Sequence, residues 1–162
     1  MAVVLGILLV AVVPKFSQTS ERLRVEHLTF ELTQLLRYAR ERAVTQGTTI
    51  VWVWNPQARR AQLYAVAATE SSPTSLRLDE RTAKSAPLPD AAILNLERLR
   101  DDGSELNSCT IGVPADTECL RFFPDGTSES ATLTLRVREF AYTVSVDGTS
   151  GQVVPSAGAS AR

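Results

Sequence analysis

Reactive side chains are scarce in this sequence. One histidine, two cysteines and one methionine occur among 162 residues. That is too little His and Cys for a zinc module. His27 is the one imidazole, no Ser/His/Asp pattern is apparent around it, and no glycine cluster has phosphate-loop spacing. The chain therefore reads as a non-enzyme without a cofactor. An excess of one charge is missing too: 17 basic residues stand against 18 acidic ones, a net of -1. Such a balance creates no strong field toward nucleic acid or an anionic membrane. At 44% hydrophobic and 22% charged, the composition also excludes a disordered chain. One domain of this size can bury roughly 70% of its unfolded surface.

One long hydrophobic run is present. Ala2 to Val13, AVVLGILLVAVV, is twelve uncharged residues, and Pro14 and Lys15 follow. A helix that crosses a bilayer needs about 20 apolar residues, so this run alone is short. A secretory signal peptide would have basic residues before the run and a small-x-small site after it. Only Met1 precedes and VVPKF closes the segment, which weakens the reading as an ordinary secreted protein. The run reads as the back half of a membrane segment whose front half lies upstream of Met1. Its residues are Val3, Val4, Leu5, Ile7, Leu8, Leu9, Val10, Val12, Val13 and Pro14. Pro14 removes one backbone donor, which predicts a kink or a looser turn unless it is simply a helix start.

From Arg22 to Gln46 there is neither Gly nor Pro. Leu28, Leu32, Leu35, Leu36, Ala39, Ala43 and Val44 recur at spacings of three and four, the stripe of an amphipathic helix. Gly47 stands where a left-handed C-cap is wanted. The rest reads as strands: Thr48–Trp54, Gln62–Ala67 after the Asn55-Pro56 turn, Leu120–Phe123, Thr132–Val137, Phe140–Val146, and a last short strand at Val153-Val154. Residues 69–90 read as a loop-rich excursion holding a strand-like SLRL. Residues 90–99 are ambiguous, and periodicity favours a helix there. PSAGASAR at the end reads as an unstructured tail.

Three segments carry a family resemblance. LLRYARERAVTQGTTIVW, LRFFPDGTSESATLTLR and YTVSVDGTSGQVV, in that order after VVLGILLVAVVPKF, resemble the helix-to-strand junction, the strand-turn-strand and the closing strand of the GspH/FimT family of type IV pilin-like minor pseudopilins. The match runs from about Val3 to Val154. It implies an α+β fold: a long N-terminal helix packed on an antiparallel β-sandwich-like domain. It divides the chain into a helix at 1–47, a globular domain at 48–154 and a tail at 155–162, and makes residues 91–99 a strand. It further implies a single-pass inner-membrane subunit with a periplasmic domain, a minor subunit near the tip of the type II secretion pseudopilus. Its partners would be other pseudopilins, membrane lipid before assembly, and prepilin peptidase. The cleavage and methylation site would lie upstream of Met1.

A periplasmic domain permits a disulfide between Cys109 and Cys119, which are separated by nine residues. Such a loop would contribute about 2.7 kcal/mol by the chain-entropy estimate. Trp52 and Trp54 share one strand face, which reads as core rather than as a stacking platform. Asp101, Asp102, Asp116, Glu118 and Asp125 are scattered and do not match a calcium loop. His27, Arg59 and Arg60 read as solvated. The competing function is a FimT-like pilin that captures DNA. From Arg121 onward four arginines meet four acids, which is no basic patch and favours secretion over DNA.

Overall fold

The computed structural model describes residues 2–69, 72–78, 88–98 and 117–157, with side chains for 21–66, 88–98 and 117–156. One helix, α1 (Ala2–Gln46, 45 residues), precedes eight strands. At 1.5 Å per residue it is roughly 68 Å long. Its backbone stays helical through Pro14, where the sequence admits a looser turn. Among the described residues no helix is long and apolar enough to cross a membrane. Gly47 ends α1 at φ +62°, and the Thr48 N–H donates to the Ala43 carbonyl at 3.2 Å, the long-range bond of a Schellman cap. A Cβ at Gly47 would meet nothing within 4 Å. Gly47→Ala should therefore cost only the left-handed backbone penalty, about 1–2 kcal/mol, read as a shift in urea midpoint at unchanged slope.

The strands are β1 (Ile50–Asn55), β2 (Arg60–Thr69), β3 (Ser72–Leu78), β4 (Ala92–Arg98), β5 (Glu118–Phe122), β6 (Ala131–Val137), β7 (Phe140–Val146) and β8 (Val153–Ala157). They form two four-stranded antiparallel sheets, ordered β3-β2-β1-β5 and β4-β6-β7-β8. Both inner faces and α1 share one core, in which Trp52, Phe122, Leu36, Leu63, Leu120, Leu133 and Leu135 are wholly buried. In β1, Ile50, Trp52 and Trp54 face that core. Val51 and Val53 join Cys119 in a second cluster. This is the alternation expected of the strand, with both tryptophans in core packing.

One expectation is met and two change. Residues 92–98 are a strand, as the family resemblance implies and periodicity does not. Ala92 and Leu94 are buried while Ile93, Asn95 and Glu97 are exposed. Ladder pairing with β6, from Ala92↔Val137 to Arg98↔Ala131, outweighs the helical spacing of a few leucines. The SLRL segment belongs to a seven-residue strand rather than a mere loop. The last strand runs to Ala157, three residues into the expected tail. Both of these are edge strands, and each carries a proline, Pro73 or Pro155. A sheet edge is where the missing N–H does no harm.

The helix stripe is also shifted. Val25, Thr29, Thr33, Leu36, Ala39 and Ala43 are buried, whereas Val44 is half exposed. The threonines were not legible as core. Each hydroxyl donates back to the carbonyl four residues earlier, Thr29 to Val25 and Thr33 to Thr29, both at 2.8 Å. Each polar group is thus satisfied before burial.

Candidate functional site

No described cluster of His, Cys, Asp and Glu could hold a metal ion. The described chemistry is concentrated instead where α1 is fastened to the sheets, because that fixes how the helix is presented. Midway along α1, beyond its apolar half, Arg138 donates to Glu21. Tyr142 of β7 donates its hydroxyl to Glu26 Oε1 at 2.8 Å, and Arg22 donates to the same oxygen at 3.1 Å. These two donors, the tyrosine first, hold the Glu26 carboxyl below its ordinary value. Further along, Arg37 donates to the Val153 carbonyl at 3.1 Å and Arg40 to the Gly126 carbonyl at 3.2 Å.

The Arg40 contact explains two motifs. The tetrapeptide Asp-Gly-Thr-Ser occurs twice, at 125–128 and 147–150, each time in a turn between strands. In the first, Asp125 Oδ1 accepts from the Thr127 N–H and hydroxyl at 3.0 and 2.6 Å. In the second, Asp147 Oδ1 accepts from the Ser150 N–H and hydroxyl, both at 2.8 Å. Both carboxyls are thereby held below their ordinary 3.8, by Thr127 and by Ser150. Their stabilisation is present above that pH and is lost as the pH falls through the lowered values. The two turns also bind each other: the Ser128 N–H donates to the Gly148 carbonyl at 2.9 Å, and the Gly148 N–H donates to Ser130 Oγ at 3.0 Å. Gly151 adopts φ +62° directly over the Gly126 carbonyl and Arg40.

Beside the helix lies a cleft of about 190 Å³, walled by Leu28, Leu32 and Leu35 of α1, Trp54, Leu94 and Leu135. Arg59 and Glu31 also line it. Arg59 is not a solvated residue as its sequence context suggests. Its φ is +52°, and its guanidinium donates to the carbonyls of Leu88 at 3.2 Å, Ala92 at 2.7 Å, and Pro89. It staples the β1–β2 turn to the start of β4. No local pattern reveals this, since the acceptors are backbone atoms about thirty residues away.

Elsewhere, His27 is exposed, 3.6 Å from Glu31. Among the described residues there is no free cysteine. Cys119 is buried in β5, and Arg98 donates to its carbonyl at 2.7 Å. Cys109, Asp101, Asp102 and Asp116 lie outside the described residues, as do the side chains of the apolar run from Val3 to Pro14. Glu118 is half-buried, accepts from the Leu96 N–H, and leaves its other carboxyl oxygen without a partner among the described residues. Burial raises its pKa above the ordinary 4.5. The folded state therefore binds the proton more tightly than the unfolded chain, and this group's contribution to stability falls as pH rises above 4.5. Glu118→Gln should raise the urea midpoint at pH 7, and the gain should shrink toward pH 4. An equal gain at both pH values would refute the assignment.

The model of the family described as type II transport protein GspH matches residues 29–151. No curated protein matches the chain. Among solved structures, the minor pseudopilin EpsH from the type 2 secretion system of Vibrio cholerae is 14% identical with a TM-score of 0.58, covering 82% of this chain and 96% of that one. The type IV minor pilin FimU of Pseudomonas aeruginosa is 18% identical with a TM-score of 0.50, covering 87% and 92%. At these identities the two structures speak for the fold: a helix on antiparallel sheets.

Proposed function

The chain belongs to the GspH family of type II transport proteins, and from that premise we propose that it is a minor subunit of a type II secretion pseudopilus, near its tip, supporting protein export across the outer membrane. The observation that carries this reading is the division of a single helix. Residues from Glu21 to Arg40 fasten it to the sheets, while the segment before them is an uncharged run from Ala2 to Val13. The run, with Val3, Val4, Leu5, Ile7, Leu8, Leu9, Val10, Val12, Val13 and Pro14, would lie in inner-membrane lipid before assembly and against neighbouring helices in the fibre. The globular domain would face the periplasm, where Cys109 and Cys119 would pair. Enzymatic activity forms no part of this reading.

Two measurements test it. In the native host, intact mass and N-terminal sequencing should find a methylated N-terminus running into Ala2–Val13. A mature chain beginning after Val13 would make the run a discarded signal and sink the proposal. Deleting the gene should deplete type II substrates from the medium. Micromolar DNA binding at physiological salt, in a salt-dependent gel shift, would favour the FimT-like role of capturing DNA for natural transformation instead.

A further inference from the structure

Each sheet has two edges: β3 and β5 bound one, β4 and β8 the other. An open edge offers unpaired N–H and carbonyl groups on which a strand of another chain can add. β3 and β8 each carry a proline, which cannot donate to such a strand. β4 and β5 carry none. Among the described strands neither has a neighbour on its outer side. In an antiparallel ladder, alternate residues turn both backbone groups to the same side. On β4 the outward residues include Ala92 and Leu96, and side chains carried by the other sheet occupy them. The Ala92 carbonyl accepts from Arg59 Nη2 at 2.7 Å, and the Leu96 N–H donates to the Glu118 carboxylate. On β5 the outward residues include Cys119 and Arg121. The Cys119 carbonyl accepts from Arg98 Nη2 at 2.7 Å. The Arg121 N–H donates to Glu129 Oε2 at 2.9 Å, and the Arg121 carbonyl accepts from the Glu129 N–H at 3.0 Å. A 2.7 Å ion pair with the Arg121 guanidinium holds Glu129 in place. Two of these contacts are reciprocal: β5 sends Glu118 to β4, and β4 sends Arg98 to β5.

We propose that Glu118, Arg98, Arg59 and Glu129 close the β4 and β5 edges, each standing in for a strand that the edge lacks, so that the domain refuses strand addition by a second copy of this chain. A guest strand would first have to displace a carboxylate or a guanidinium from its backbone partner. It would leave that charge to find another partner in a half-buried seam, which is costly. The inference goes beyond the pseudopilin reading and stands apart from it, since it concerns only how two sheet edges are finished.

The test compares self-association of full-length chains purified in one detergent, where any helix pairing is common to all. Arg98→Met combined with Glu118→Met removes both hydrogen-bonding groups and keeps side chains of similar length. Arg98→Lys combined with Glu118→Gln keeps a donor and an acceptor. Sedimentation velocity should give the methionine variant a dissociation constant lower than that of the unaltered chain by roughly tenfold or more, the worth of a few recovered backbone hydrogen bonds. The lysine–glutamine variant should match the unaltered chain. Hydrogen exchange followed by mass spectrometry should show new protection on association at β4 and β5. Where the double methionine variant fails to fold, Arg98→Met alone is read in the same way. A folded methionine variant that associates no more tightly than the unaltered chain overturns the proposal. New protection confined to α1 does so too, because helix pairing would then be the cause. Association of the lysine–glutamine variant as tight as that of the methionine variant also overturns it, since hydrogen-bonding groups would then not be what closes the edges.

Discussion

Gly151→Ala is expected to destabilise the domain by about 2–5 kcal/mol, the sum of a left-handed backbone penalty and an overpacking cost. For a chain of this size that is roughly 10 °C in melting temperature. A Cβ at Gly151 would come 2.3 Å from the Gly126 carbonyl oxygen, 2.7 Å from Arg40 Nε and 3.0 Å from Arg40 Cδ. The first of these is backbone and cannot swing away. Relief would require parting the two Asp-Gly-Thr-Ser turns or releasing Arg40, which is the fastening near the C-terminal end of α1. Gly126→Ala is the control. Its φ is +89°, but the nearest atoms to a Cβ are 3.7 Å away, so only the backbone penalty of about 1–2 kcal/mol applies. Thermal melts followed by circular dichroism separate the two. Equal losses would mean that the close approach at Gly151 is not what holds the turns together.

Trp52→Ala should cost about 3–5 kcal/mol, the range for emptying a large aromatic from a core. Trp52 is completely buried, pairs across the sheet with Leu63 and Leu120, and sits in the cluster that joins both sheets to α1. Its indole N–H has no hydrogen-bond partner among the described residues. A buried donor left unpaired carries a penalty of about 1–3 kcal/mol. Trp52→Phe removes that donor while keeping most of the ring volume, so its net cost should be much smaller than that of alanine. Urea melts of the two variants, with unchanged slopes, measure the difference. A phenylalanine variant as unstable as the alanine variant would show that the indole's shape, rather than its bulk, is what the core requires.

The helix and six of the strands are legible because their patterns repeat over many residues. The face of α1 from Leu28 to Ala43 and the alternation in β1, β6 and β7 each require one partner surface, and the periodicity declares it. Gly47 is legible because a helix end needs a left-handed residue and glycine adopts it cheaply. Residues 90–99 are not settled by the same means. Ala92, Leu94 and Leu96 alternate, yet Ala92, Leu96 and Leu99 also fit a helix. The family resemblance implies a strand, and the physical reason is the neighbouring β6, paired along all seven positions from Ala92 to Arg98.

The sequence by itself determined the class of this molecule. An apolar run leading into an amphipathic helix, then alternating strands with Asp-Gly turns, points to a helix laid on an antiparallel sandwich or sheet, and the family resemblance selects the sandwich. Periodicity is local, and local patterns survive in one dimension. What only the tertiary structure decided are contacts whose partners are backbone atoms or distant turns: Arg59 on the carbonyls of Leu88, Pro89 and Ala92, Arg40 on Gly126 under Gly151, and Tyr142 on Glu26. A carbonyl is present at every residue, so its use as an acceptor leaves no mark on the sequence. Thr29 and Thr33 are buried for a related reason: the helix itself supplies their acceptors, which makes a polar residue as acceptable in the core as an apolar one.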